Sequence, residues 1–326
     1  MTSNKSAKYI RDPIDIVDGI PIFSATDRYI DNYKKIASDH VEAMEATGHN
    51  PFMDEGLWIA LEQSTRALIE KYITDGARVL DVGVGLGRVL GPLDRLERYG
   101  IDISHDYLKR AKEKGFDVAF SRIEDMPYQD SFFDAVVACD VLEHVIDLHS
   151  CCLQLLRVLR PGGVLIIRVP YLDDMSAYLD EQLPYEFIHL RSFDVPTLRI
   201  LFGKIHGMRY QEHTFAVPYL KDALLKIKLL PGNSRIADLA RKATEPKRPV
   251  WLLRVFPENS KMGRWLREPT DSAHPLWILR KITEVPHEAF KNWVYGLRVS
   301  NPSLLEELLP DLADGLEVNI VFSKLD

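Results

Sequence analysis

Between Val79 and Leu90 the chain reads Val-Leu-Asp-Val-Gly-Val-Gly-Leu-Gly-Arg-Val-Leu. Asp81, Gly83, Gly85 and Gly87 therefore follow directly on a short apolar run. Glycine permits positive φ and lets a ligand come close to the backbone. An apolar strand that runs into such a turn makes a nucleotide-binding crevice. Asp102 stands seventeen residues beyond Gly85, in Tyr99-Gly-Ile-Asp-Ile-Ser104. A carboxylate there can accept hydrogen bonds from both hydroxyls of a ribose. Proton transfer calls for a group that titrates near neutrality, and histidine is the usual one. Of the ten histidines, His144 and His189 lie where catalysis is plausible.

The pattern around these residues alternates short apolar runs with helical stretches, which argues for a parallel sheet with covering helices. Strands are expected at Arg78–Val82, Arg98–Ile103, Asp117–Phe120, Phe133–Cys139, Gly163–Val169, Met208–Phe215 and, at the end, Leu316–Phe322. Helices are expected at Tyr29–Ala46, Gly87–Leu96, His105–Lys114, Leu148–Leu159 and Val195–Phe202. A further helix, carrying Leu57, Trp58, Leu61, Leu68 and Tyr72 at helical spacing, leads into the first strand of the core. Glu143 and His144 are read as starting a helix, where a carboxylate suits the helix dipole whether or not it binds anything.

The glycine spacing separates two nucleotide families. A dinucleotide fingerprint needs Gly-x-Gly-x-x-Gly, but the position three after Gly85 is Arg88, and the third glycine arrives one residue early. The pattern Asp-x-Gly-x-Gly-x-Gly resembles motif I of the class I S-adenosylmethionine-dependent methyltransferases. Four later blocks extend the resemblance in order: Tyr99–Ser104, Ser121-Arg-Ile-Glu-Asp-Met-Pro127, Ser131-Phe-Phe-Asp134 through Asp140-Val-Leu-Glu-His144, and Leu155-Leu-Arg-Val-Leu-Arg-Pro161-Gly-Gly. The set is similar to the family that holds quinone-biosynthesis, sugar and natural-product methyltransferases, over residues 54–218 and the last strand.

This resemblance implies an α/β Rossmann-like fold: a seven-stranded sheet with helices on both faces and an antiparallel last strand. It implies S-adenosylmethionine as cofactor and S-adenosylhomocysteine as product. By the same resemblance Gly83, Gly85 and Gly87 lie under the methionine part and Asp81 faces its ammonium end. Asp102 holds the ribose, Ile123 and Glu124 border the adenine, and Cys139 and Asp140 line the methionine and sulfonium. Many relatives carry Gly-Asp where this chain has Ser121-Arg122, which leaves the adenine amine without its usual acidic partner. The expected activity is O-methylation of a small molecule or sugar by in-line transfer, with His189 as general base and His144 as the other candidate. Loops at the carboxyl ends of strands roof such crevices, so Tyr171–Phe193, with Tyr171, Asp173, Asp174, Tyr178, Tyr185 and Glu186, is a lid candidate. His189 there belongs to a His-x-Arg-x-Phe element that can also simply pin a loop. Asp140, Asp173 and Asp174 are carboxylates near the crevice, but no spacing compels a metal site, and none is assigned.

In relatives the sixth and seventh strands form a nearly direct hairpin. Here about a hundred residues separate them, too many for a loop. The chain is thus read as a leader (1–53), a core (54–218 and 314–326) and a helical insertion (219–313). From Lys221 to Ser300 there are sixteen Lys and Arg against eight Asp and Glu, and four of the five tryptophans lie there. A helical cap, a surface for an anionic or lipid-linked substrate at a membrane, and an RNA or self-association surface are the competing readings of this insertion. The net charge of −7 argues against a nucleic-acid-coating protein. Cys139, Cys151 and Cys152 have no disulfide or metal spacing, which fits a reducing cytoplasm, with contact at a membrane surface left open. A quinone-like or lipid-linked acceptor, or an RNA or protein acceptor, is the alternative function. A NAD enzyme and a binding module without chemistry are the competing classes. In the leader, Asp18-Gly-Ile-Pro21 is expected to pack as a hairpin without zinc.

Overall fold

The computed structural model describes residues 8–53, 55–173, 175–218 and 315–325, with Ser300, Asn301 and Ser303. Apart from those three residues, the expected insertion (219–313) lies outside the described residues, as does Asp174.

The leader opens with β1 (Asp15–Val17) and β2 (Ile20–Ile22), an antiparallel hairpin turning at Asp18 and Gly19, both at positive φ. Helix α1 (Arg28–Thr47) starts where the Asp27 side chain accepts from the Ile30 amide, and it ends at Gly48 in the left-handed region. Helix α2 (Glu55–Tyr72) follows and buries Leu61, Thr65, Leu68 and Ile69.

The core then runs β3 (Arg78–Val82), β4 (Glu97–Asp102), α3 (His105–Glu113), β5 (Asp117–Phe120), β6 (Phe133–Cys139), α4 (Leu148–Val158), β7 (Leu159–Pro170), α5 (Val195–Leu198), β8 (Arg209–Pro218) and β9 (Gly315–Ser323). Strands β3 to β7 are mutually parallel, and β9 is inserted antiparallel between β7 and β8. The sheet order is β1-β2-β5-β4-β3-β6-β7-β9-β8.

Nine strands stand where seven were expected, because the leader hairpin joins the sheet edge through Ile22 beside Phe120. Alternate strand residues feed two cores. Leu80, Val136, Ala138, Leu165 and Ile167 pack on one face, and Val79, Ala135, Val137 and Ile166 on the other. Burial on both faces explains the near-continuous apolar runs of the parallel strands. Each fully buried Leu or Ile contributes about 1.5–3 kcal/mol.

Two expected helix starts are absent. The stretch Gly87–Leu96 is a series of turns, with Leu93 donating to the Leu90 carbonyl at 2.9 Å and Leu96 to that of Leu93 at 3.1 Å. Pro92 has no amide to donate and disfavours a helical Gly91. A Cβ on Gly91 would also meet the Gly87 carbonyl oxygen at 2.4 Å. Glu143 and His144 lie in a turn, and α4 begins only after Asp147, whose carboxylate accepts from the Ser150 amide.

Candidate active site

The glycine loop leaves β3 and is tied to the end of β4. The Gly85 amide donates to Asp102 Oδ2 at 3.0 Å and the Ser104 amide to Oδ1 at 2.9 Å. Gly83 has φ 66°, and a Cβ there would lie 2.4 Å from Val141 Cγ2, so no other residue fits without shifting that side chain. Burial raises the Asp102 carboxyl to about 6, against these amide hydrogen bonds, which lower it. Asp81 lies below the loop, 2% exposed. Burial holds its carboxyl well above the usual range, with Arg168 pulling it down and Asp102 pushing it up.

A cavity of about 800 Å³ opens above the loop. Eight of the expected site residues line it: Gly83, Gly85, Asp102, Ile123, Glu124, Asp140, His144 and His189. Three others do not. Gly87 packs against α3 and the turn after it, where a Cβ would meet Phe116 at 3.1 Å and the Ala111 backbone at 3.3 Å. Cys139 points to the other core, with Sγ 3.9 Å from Thr65 Oγ1, and its thiol is pushed far up by burial. Asp81 stays beneath the cavity floor. Ser121 and Arg122 are turned to structural work. Ser121 Oγ donates to backbone carbonyls of its own loop, and Arg122 pairs with Asp27, the cap of α1.

Arg168, on β7, carries no sequence signal because it stands within an apolar run. It is 2% exposed, pairs with Asp140, and reaches Glu317 Oε2 at 2.6 Å and Thr65 Oγ1 at 3.1 Å. Its carbonyl also accepts from the Asp140 amide at 2.9 Å. Asp140 has φ 55°, so both halves of Arg168 hold this cavity residue in a conformation that non-glycine residues rarely adopt.

The two histidines meet. Their rings are edge to face, 4.7 Å between centroids. His189 Nδ1 lies 2.5 Å from Asp173 Oδ2, an oxygen that also accepts from Tyr178 Oη at 2.8 Å. His144 Nδ1 donates to the Ile188 carbonyl at 2.8 Å. Burial, with His189 nearby, pushes the His144 imidazole down to about 4, so it is neutral at pH 7. The neighbouring Arg191 donates to the carbonyls of Leu142 (2.8 Å) and Ile146 (3.2 Å), and the Leu190 amide to that of Glu143 (2.8 Å). Within the His-x-Arg-x-Phe element, arginine therefore does the pinning, and histidine is presented to the cavity.

The roof combines the lid with the leader, which sequence reasoning had not assigned to the site. Tyr29, Tyr33, Ile36 and His40 of α1 line the cavity with Tyr178, Tyr185 and Ile188 of the lid. Polar bonds hold the two together: Asn32 Nδ2 to the Phe187 carbonyl (2.8 Å), Lys35 Nζ to that of Pro184 (3.0 Å) and Tyr185 Oη to Asp39 (2.9 Å). The only hint in the sequence is the spacing of Tyr29, Tyr33, Ile36 and His40 along one helical stripe.

Comparison with known proteins agrees with this geometry. Residues 80–167 match the family described as "Methyltransferase domain". Over 100 residues the chain is 33% identical to tRNA (carboxymethyluridine(34)-5-O)-methyltransferase of Arabidopsis thaliana, covering 30% of this chain and 25% of that one. Over 107 residues it is 40% identical to the mitochondrial ubiquinone biosynthesis O-methyltransferase of Homo sapiens, covering 28% of each. Over 157 residues it is 27% identical to O-methyltransferase rstn1 of Aspergillus nomiae, covering 44% of this chain and 70% of that one. The chain thus spans only about a quarter of the length of the first two relatives. The core built on the glycine loop thus carries a methyltransferase domain of the class I S-adenosylmethionine-dependent type.

Proposed function

We propose that this chain transfers the methyl group of S-adenosylmethionine to a hydroxyl of a small molecule or sugar. The observation that carries this reading is a single cavity with the glycine loop and Asp102 at one wall and the His144–His189 pair, backed by Asp173, at another. Asp102 takes the ribose hydroxyls, Gly83 and Gly85 lie under the methionine part, and Asp81, beneath the loop, faces its ammonium end. Ile123 borders the adenine. Glu124, on the same wall, is the acidic residue left to the adenine amine, since Ser121 and Arg122 are engaged elsewhere.

In the transfer, an oxygen lone pair of the acceptor forms the new bond to carbon. The carbon–sulfur bond breaks, and its electron pair stays on sulfur. The acceptor's proton leaves to His189, whose Nδ1 side is held by Asp173 so that Nε2 carries the lone pair. The aromatic wall of Tyr29, Tyr33, Phe52, Trp58 and Tyr185 favours a phenolic or quinol acceptor over a bare sugar. The name of the human relative, which places that protein in ubiquinone biosynthesis, points the same way.

Calorimetry with S-adenosylhomocysteine and NADH, followed by a turnover screen over phenols, quinols and sugars, tests the reading. Binding of NADH in place of S-adenosylhomocysteine would overturn it. Among the described residues no helix is long and apolar enough to cross a membrane. A cytoplasmic enzyme that meets a membrane surface through 219–313 is the localisation we propose, and co-sedimentation with anionic vesicles at two salt concentrations tests it.

Asp102 gives this site a pH signature. Its free-state carboxyl titrates at about 6, and ribose hydroxyls bind the ionised form better. Cofactor binding is then linked to proton release. Affinity for S-adenosylhomocysteine is constant above pH 7 and falls about fivefold by pH 5. Asp102→Asn binds more weakly throughout and loses this pH dependence. Calorimetry at four pH values measures it, and an unchanged slope in the variant would remove Asp102 from the role. For the empty protein the sign is opposite. The folded carboxyl holds its proton more tightly than the unfolded one, so this group's contribution to stability falls between about pH 4 and 6.

A further inference from the structure

Glu143, His144 and His189 bring one ligand atom each to within 4.8 Å of one another, the one such group found among the described residues. Glu143 is 1% exposed, and neither of its carboxylate oxygens has a hydrogen-bond partner. His144 Nε2, a neutral imidazole nitrogen, is 3.7 Å from Oε1, beyond hydrogen-bond distance. A buried carboxylate in that condition is costly unless something positive joins it. The imidazoles are both arranged for the same guest. His144 Nδ1 is bound to a carbonyl and His189 Nδ1 to a carboxylate, which leaves Nε2 of each ring as the lone-pair nitrogen. Histidines that bind metals are held from behind in this way. Nearby carboxylates are already committed: Asp140 to Arg168, and Asp173 to His189 and Tyr178.

We propose that Glu143, His144 and His189 hold a divalent transition-metal cation of the Zn²⁺, Mn²⁺ or Co²⁺ class at the acceptor end of the cavity. Two imidazoles and one carboxylate suit these ions better than Mg²⁺ or Ca²⁺, which prefer all-oxygen shells. Small side-chain rotations close the cluster around an ion with bonds of about 2.0–2.2 Å. Three protein ligands leave a coordination position open, and His144 and His189 face the cavity.

The purpose of the cation rests on the hydroxyl-methylation reading; its binding does not. The acceptor's hydroxyl oxygen takes the open position and, made acidic by the cation, releases its proton to solvent. Its lone pair then forms the bond to the methyl carbon, and the carbon–sulfur pair stays on sulfur. In the loaded site His189 is a ligand and no longer a free base, because Nε2 has a single lone pair for either use.

The test uses the full chain without a histidine tag, stripped by chelator and titrated calorimetrically with Zn²⁺ and with Mn²⁺. One cation per chain is expected. Glu143→Gln and His144→Ala weaken it at least about a hundredfold, and Asp173→Asn, which acts from behind, about tenfold. His149→Ala, outside the cluster, leaves it unchanged. Retained binding of S-adenosylhomocysteine shows that each variant is folded. No cation on the unaltered chain, or undiminished affinity in both Glu143→Gln and His144→Ala, overturns the site. A second arm follows turnover of a hydroxyl acceptor with and without chelator. Loss on chelation, restored by the cation, supports the role. Chelator-insensitive turnover overturns the role and leaves methylation standing. Cation binding without any hydroxyl acceptor overturns the methylation reading and leaves the site.

Discussion

With His189 replaced by alanine, methyl transfer to a hydroxyl acceptor falls by about two to four orders of magnitude, while S-adenosylhomocysteine binds as before. The separation follows from where the residues lie. The cofactor reading uses the glycine loop and Asp102, whereas His189 belongs to the lid and is held by Asp173 at 2.5 Å. Losing the imidazole removes the group at which the acceptor's oxygen is ionised, whether it takes the proton itself or holds a cation that does the acidifying. The affected quantity is therefore kcat, with little change in cofactor affinity. Asp173→Asn keeps the ring but can present it in the wrong tautomer, and a smaller loss follows. Single-turnover rates beside calorimetric affinities for S-adenosylhomocysteine measure both. Unchanged turnover of the true acceptor by His189→Ala would remove the residue from the chemistry.

The chain's local signals reached the site unevenly, and the reasons are physical. Strands β3, β5 and β6 fall on the expected residues because both their faces are buried and apolar residues dominate them. The Asp102 carboxylate meets the glycine loop because adjacent parallel strands end at the same level. The contact between His144 and His189 crosses 45 positions and depends on Arg191 threading the carbonyls of Leu142 and Ile146, which no periodicity encodes. The leader's place in the roof is equally non-local. Tyr29 and Tyr33 read as one stripe of an amphipathic helix, and only the fold shows that the stripe faces a cavity. The helix expected at Gly87 failed for a local reason that was already visible, the Gly91-Pro92 step. The family resemblance puts Cys139 at the crevice, but the period of two turns its side chain to the opposite face.

Arg168→Met is expected to lower stability by about 3–5 kcal/mol, because it keeps the packed stem and leaves the charges of Asp140 and Glu317 without their partner. For a core of this size the melting temperature falls on the order of 10 °C. The register of three strands makes the arginine unavoidable in this arrangement. Arg168 stands beside Cys139 on β6 and Asn319 on β9, so its guanidinium reaches Asp140 at one strand end and Glu317 on the last strand. Burial already pushes the Glu317 carboxyl well up, and Arg168 is the group that opposes this. Adding Glu317→Gln to Arg168→Met should restore part of the loss, since one of the two stranded charges is then gone; the two changes are coupled, not additive. Thermal and denaturant unfolding of the single and double variants measures the cycle. If Arg168→Met unfolds within about 1 kcal/mol of the unaltered chain, the buried pair is not what holds Asp140. If it unfolds as expected, the left-handed Asp140 at the cavity edge is a conformation maintained from below by an arginine that does not itself line the cavity.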